Sequence, residues 1–257
     1  MATLAHWLKI FGFDPKQCIR SVPAVLRYFR ERRQFKDASG PEFEWADELP
    51  MLSERNADSG DLSAYFHQDL TVARWIHKAN PRRHIDVGSR IDGFVGHLAV
   101  FREVDVIDIR PQPGRVPNVK FHALDLMAPL ANEWRETTDS LSCLHTLEHF
   151  GLGRYGDSID PNGHLAGMRQ LQSMVAPGGV FYFSTPIGRQ RIEFNAHRIF
   201  AVRTVLDWFA KGWTVERIAY LDDLGIVQNL ETWSEDFVAR NFGCETGLII
   251  LAARKLG

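Results

Sequence analysis

Apolar residues recur at helical spacing early in the chain and gather into short runs later. Leu4, Trp7, Leu8 and Phe11 share one helical face, and Val22, Val25, Leu26 and Phe29 repeat the spacing. A third amphipathic helix is predicted from a cap at Asp61 to about Lys78, with Leu62, Tyr65, Phe66, Leu70, Ala73 and Ile76 broadly on one side. From His84 the period shortens. The runs HIDV, VDVIDI, VKFHALDL, SLSCLH and GGVFYFST alternate with helices predicted from about Ile91 to Phe101, near Asn132 and from Leu165 to Met174. A helix around Val205 to Phe209, the stretch WTVERIAYL and a closing strand GLIILAARK follow. Such alternation implies a mostly parallel sheet covered by helices. The expected architecture is a Rossmann-like, doubly wound α/β domain of seven strands over residues 61–257, behind an N-terminal helical extension over residues 1–60.

At 257 residues and 45% apolar, the chain can bury a substantial core. Lys and Arg total 30 against 32 Asp and Glu, so no global field attracts a polyanion and a nucleic-acid partner is not expected. Cys18, Cys143 and Cys244 lie far apart, which disfavours both a disulfide framework and a thiolate zinc site and suits a cytoplasmic setting. No apolar run approaches the roughly 18 residues of a membrane span, and MATLAHWLKIFGFDP lacks a signal peptide's pattern. Arg27, Arg30, Arg32, Arg33 and Lys36 precede acidic Glu42, Glu44, Asp47 and Glu48, a pattern read as solvated faces that compensate one another.

The segment HIDVGSRIDGFVGHL reads as a buried strand, a glycine-bearing turn and a helix, the way a doubly wound sheet presents backbone to a ligand. Gly88 and Gly93 supply open turn geometry and close approach. Asp108 follows Gly88 by twenty residues, the spacing at which a carboxylate meets ribose hydroxyls in this architecture. The turn GSRIDG is not GxGxxG, so a dinucleotide is disfavoured. S-adenosylmethionine carries no phosphate and suits carboxylates, which Asp86, Asp108 and Asp125 place at three successive strand ends.

The succession IDVGSRIDG, VIDIRP, FHALDL, SCLHTLEHF and APGGVFYFSTP resembles the motifs of class I S-adenosylmethionine-dependent methyltransferases over roughly residues 84–187. A nearer likeness, from Tyr65 onward, is to a bacterial family catalogued as domain of unknown function 268, through YFHQDLTVARWI, DVGSRIDGFVGHL, LHTLEHFGLGRYGD and EFNAHRIF. The superfamily resemblance implies a cofactor site in which Asp86, Gly88, Ser89, Arg90 and Gly93 line the methionine end. It also implies that Asp108 and Ile109 meet the ribose, that Asp125 and Leu126 frame the adenine, and that His145 lies near the methionine portion. The turn departs from the pattern at Arg90, where a further glycine is common.

HTLEHFGLGRYGD puts His145, Glu148 and His149 after the fourth strand, where an acceptor would meet the methyl group, and TPIGRQRIEFNAHRIF brings Glu193, Asn195 and His197 after the fifth. Histidine accepts a hydroxyl proton near neutral pH, so His149 is the candidate base, with Glu148 and His197 as catalytic companions. A packed histidine steadying the loop is the competing role. Glu148, His149 and His197 also offer oxygen and nitrogen ligands of the kind a divalent metal takes, although a metal is not expected. The expected activity is O-methylation of a small-molecule or carbohydrate hydroxyl, the sugar suggested by likeness to proteins of surface-polysaccharide assembly. The alternatives are a non-catalytic cofactor-binding scaffold and an RNA methyltransferase.

Overall fold

The computed structural model describes residues 4–45, 48–52, 59–60, 62–112 and 114–257. The predicted cap Asp61 and the acidic Asp47 lie outside the described residues. The chain divides into two units, Met1–Asp61 and Leu62–Gly257. Among the described residues no helix is long and apolar enough to cross a membrane.

In the first unit, α1 spans Leu4–Ile10 and α2 spans Pro15–Ala38. Asp14 caps α2, its Oδ1 accepting the Lys16 and Gln17 amides at 3.0 and 3.2 Å, and Pro15 opens the helix where a missing N–H costs nothing. Glu48 accepts from the Tyr28 hydroxyl at 2.7 Å and pairs with Arg32, so basic helix and acidic stretch do compensate there.

In the second unit, α3 (Ala64–Ala79) buries Gln68, Asp69, Val72, Ala73 and Ile76 and ends at left-handed Asn80. The strands are β1 (His84–Val87), β2 (Val104–Asp108), β3 (Val119–Ala123), β4 (Thr138–Leu144) and β5 (Val175–Ile187). A small hairpin, β6 (Arg191–Glu193) and β7 (His197–Ile199), follows, and then β8 (Trp213–Leu221), β9 (Val227–Leu230) and β10 (Gly247–Lys255). Eight of them form one sheet in the order β3-β2-β1-β4-β5-β10-β8-β9. The pairings from β3 through β5 are parallel, whereas β10 runs antiparallel to both β5 and β8. The strand beyond the predicted seven is β9, a short edge strand paired antiparallel with β8 across a turn in which Asp222 accepts the Leu224 and Ile226 amides. Its sequence VQNL has too little apolar pattern to announce a strand.

The predicted helix from Ile91 to Phe101 is shorter and divided. A π turn over Ile91–Val95 leads into α4 (Gly96–Ala99), because Gly93 leaves helical geometry at φ −121°, ψ −112°. The helix near Asn132 is a single 3-10 turn, Asn132–Trp134, while α5 (Gly163–Met174) and α6 (Val202–Asp207) lie near their predicted places.

Alternation along the strands builds two apolar layers. Ile85, Ile107, Phe181 and Leu251 pack in one layer with Leu171 and Val205; Val106, Tyr182 and Ile250 pack in the other with Ile76 and Phe94. On β1 this second face is polar instead. His84 bonds Ser140 and Ser142 at 2.7 and 3.0 Å, and burial pushes its imidazole down to about 3, keeping it neutral. The chain leaves β1 toward β2 on one side and returns to β4 on the other, so the sheet's switch point, where doubly wound proteins bind ligands, opens between β1 and β4.

Candidate active site

A cavity opens at the carboxyl ends of β1, β2 and β4, with α3 and the loop after β3 completing its wall. Asp86 is not part of that wall. Its side chain is fully buried, Oδ1 accepting from Ser142 Oγ at 2.5 Å and Ser89 Oγ at 2.8 Å, and Oδ2 from the Ser89 amide at 3.2 Å. Burial lifts its carboxyl to about 6 against these donors. Asp86 therefore braces the turn from beneath rather than lining the methionine end.

Gly88 turns the chain at φ +74°, and a Cβ there would lie 2.2 Å from Thr146 Cγ2 in the loop after β4. Both the backbone angle and this approach require glycine. Ser89, Arg90 and Gly93 line the cavity beyond it. The Arg90 guanidinium forks onto the Asp92 carboxylate at 3.0 and 2.7 Å in the open.

Asp108, the last residue of β2, reaches the cavity with Ile109 beside it. Its carboxylate accepts the Arg110 amide at 2.8 Å and the Arg110 guanidinium at 3.0 and 2.6 Å. The same guanidinium lies 4.4 Å from the centre of the Tyr155 ring. Asp125 and Leu126 follow β3; Asp125 accepts the Met127 amide at 2.8 Å, and buried Leu126 joins Ile107 and Leu124 as an apolar part of the wall.

After β4, His145 takes a left-handed φ of +54°, uncommon away from glycine and held by its amide's bonds to the Ser184 carbonyl and hydroxyl at 3.0 and 3.1 Å. Its ring lines the cavity and packs 4.7 Å from Tyr65 of α3. Glu148 is fully buried behind the wall, with Oε1 3.5 Å from His145 Nδ1 and 4.0 Å from His149 Nε2. Burial raises its carboxyl to about 8 and drives His145 down to about 3, so at neutral pH an acid proton sits among uncharged imidazoles. His149 does line the cavity. Its Nδ1 donates to the Ala196 carbonyl at 2.7 Å, which leaves the lone pair on Nε2, and burial lowers its pKa to about 4.

His197 lies off the cavity wall, its ring 6.4 Å from that of His149 and its Nε2 3.4 Å from Glu193. Glu148 and His197 thus stand behind His149 rather than in the cavity. Among the described residues no group of three or more His, Cys, Asp or Glu gathers as metal ligands.

The structure adds wall residues that sequence reasoning assigned no cofactor contact: Tyr65, Gln68 and Asp69 of α3, Arg110 and Thr146. The signal for the α3 group was present. Tyr65, Gln68, Asp69, Val72, Ala73 and Ile76 follow one helical face, which carries two polar residues where apolar ones belong.

A protein from Bacillus halodurans C-125, described only provisionally as a methyltransferase, is similar in structure with a TM-score of 0.50 at 14% identity, over 74% of this chain and 99% of its own. The N-methyltransferase NodS from Bradyrhizobium japonicum WM9, solved with S-adenosyl-L-homocysteine, aligns with a TM-score of 0.49 at 15% identity, over 82% of this chain and 93% of its own. The 1,6-didemethyltoxoflavin-N1-methyltransferase of Burkholderia thailandensis, solved with its namesake compound and S-adenosylhomocysteine, aligns at 0.47 and 14% identity, over 77% of this chain and 80% of its own. The fold is the Rossmann-like α/β fold, shared with the Bacillus halodurans protein. Within it, residues 119–215 match the family model described as Caenorhabditis protein of unknown function, DUF268, a shorter stretch than the likeness read from Tyr65 onward. No curated protein matches the chain.

Proposed function

We propose that the protein is an S-adenosylmethionine-dependent O-methyltransferase whose acceptor is a hydroxyl of a small molecule or a carbohydrate. The observation that carries this reading is the single cavity at the switch point, which joins the strand-end carboxylates Asp108 and Asp125, an apolar surface and the oriented imidazole of His149. These residues fit the cofactor. Carboxylates accept from ribose hydroxyls and the adenine amino group, and Ile107, Leu124 and Leu126 offer apolar surface to a purine. The cofactor supplies an electrophilic methyl on a sulfonium, open to in-line attack.

The chain's own residues position the reactants and move one proton, and positioning accounts for much of the acceleration in such a displacement. His149 Nε2 takes the proton of the acceptor hydroxyl. Burial keeps the imidazole neutral at pH 7 at the cost of basicity, so it receives the proton only as attack makes the hydroxyl strongly acidic. Tyr155 packs edge-on against that ring at 5.4 Å and holds it in place. The carbohydrate half of the proposal is supported by the family likeness.

Calorimetric titration with S-adenosylhomocysteine, with NAD alongside, tests the cofactor, and methyl-transfer assays over hydroxyl acceptors including sugars test the reaction. Micromolar S-adenosylhomocysteine binding, lost in Asp108→Ala, with no NAD binding, is the expected result. Absence of binding would overturn the proposal. Binding without transfer to any acceptor would favour a non-catalytic cofactor-binding protein instead.

A further inference from the structure

We infer that Arg154, in the loop after β4, takes an anionic group of the acceptor, a carboxylate or a phosphate, while a hydroxyl of the same molecule faces His149. The inference rests on the methyltransferase reading and narrows its acceptor to a hydroxyl compound that carries negative charge.

Arg154 is exposed and stands against two residues of the cavity wall, His149 and Tyr155. Its Nη1 donates to the Ala196 carbonyl at 2.8 Å, the same oxygen that holds His149 Nδ1, and lies 3.5 Å from that nitrogen. Its guanidinium carbon is 5.1 Å from the centre of the Tyr155 ring. One carbonyl of the β6–β7 hairpin therefore fixes the cation beside the candidate base. The opposite edge of the guanidinium, Nε and Nη2, bonds no other described residue. Such an edge meets a carboxylate or a phosphate with two parallel bonds.

Neighbouring arginines are already matched. Arg90, Arg110 and Arg191 each pair with a carboxylate two residues away, at 2.7, 2.6 and 2.9 Å. Arg198 of the hairpin is buried, and its guanidinium donates to the carbonyls of Glu148, Phe150 and Pro161. Arg154 makes no ion pair among the described residues. Glu148 feels its charge but keeps a proton at pH 7, its carboxyl being lifted to about 8. Asp157 gives its oxygens to the amides of Gly151, Gly153 and Tyr155, and its charge acts on Arg198.

A cation in this place works against the base. Burial, the Arg154 charge and His197 all oppose protonation of His149, while the Ala196 carbonyl and Asp157 favour it. His145 and Glu148 are uncharged neighbours at pH 7. An anion on the guanidinium offsets the nearest opposing charge, so an acceptor that brings its own carboxylate or phosphate returns basicity to His149 when a proton has to be taken. A neutral acceptor leaves the opposition in place.

Side-chain NMR at pH 7 tests the subsite, on protein loaded with S-adenosylhomocysteine and at constant ionic strength, with inorganic phosphate and acetate as probes. At least one should shift the Arg154 Nε–H and His149 ring signals saturably, and the tighter of the two names the anion. In Arg154→Gln that anion should bind about tenfold more weakly, the size of one charge-assisted bond. Arg154→Lys, which keeps the charge and loses the fork, should recover part of the loss, and S-adenosylhomocysteine affinity should stay within about twofold of wild type in both variants. No saturable shift with either probe, or equal binding in Arg154→Gln, would overturn the inference. So would a parallel loss of S-adenosylhomocysteine affinity, the mark of a structural role through Ala196. In transfer assays Arg154→Gln should lose turnover of anionic acceptors; a neutral acceptor preferred by wild type and methylated as fast by the variant would also overturn it. Wild-type protein that binds no S-adenosylhomocysteine would sink the methyltransferase reading, a failure that the anion titration keeps distinct from failure of the subsite.

Discussion

Ser142 Oγ on β4 lies 2.5 Å from Asp86 Oδ1 on β1, joining beneath the cavity the two paired strands whose connections diverge above it. Ser142→Ala removes a donor from a buried acid whose pKa is already raised to about 6. The carboxyl should shift further upward, and the fold should lose roughly 1–3 kcal/mol, the cost of leaving a buried polar group short of a partner. Thermal melting near pH 7 should show a drop of several degrees. An unchanged melting temperature would mean that Ser89 alone satisfies Asp86.

Gly88→Ala combines a left-handed φ of +74° with a Cβ placed 2.2 Å from Thr146 Cγ2. The expected result is a destabilised protein that has lost S-adenosylhomocysteine binding, because the turn and the loop after β4 cannot both keep their places. Adding Thr146→Ser deletes the methyl that clashes and should recover part of the stability, the backbone strain remaining. No recovery in the double variant would assign the damage to φ alone.

Glu148 titrates near 8 in the folded chain, against an ordinary carboxyl value of 4.5. Between those values the native state holds a proton that the unfolded chain has released. This group's contribution is therefore fully present below about 4.5 and is lost as pH rises through 8. Glu148→Gln cannot ionise, so its stability relative to wild type should climb from pH 5 to pH 9. Denaturant melts of both proteins across that range check the sign; a constant difference would show that Glu148 titrates normally.

Arg110 places three donors on Asp108, the carboxylate assigned to the ribose. Arg110→Ala keeps the backbone amide and removes the competing fork, so S-adenosylhomocysteine should bind a few-fold more tightly. Weaker binding would show instead that Arg110, stacked on Tyr155, contacts the ligand itself.

Much of the sheet was legible because strand residues reveal themselves locally. HIDV is β1 to the residue, and WTVERIAYL and GLIILAARK are β8 and β10. Asp108 and Asp125 were legible for a related reason: an acid at or just past the carboxyl end of a parallel strand has only the crevice or solvent to face. Asp86 followed the same rule and came out differently, because it sits one residue before the strand's end, on the face opposite Ile85 and Val87. Its partner Ser142 is 56 positions away, beyond the reach of any local pattern.

The sequence by itself determined the alternation of strands and helices, the glycine at the turn and the place along the chain where chemistry gathers, since periodicity, turn geometry and strand ends are properties of neighbouring residues. Only the tertiary structure decided depth. It placed Asp86 and Glu148 behind the wall, kept His197 off the wall that His149 lines, and brought Asp69 of α3 against Gly93. Whether a polar side chain faces a cavity or lies under it depends on what packs over it, and in this chain that cover comes from β4, β5 and α3, all distant in sequence.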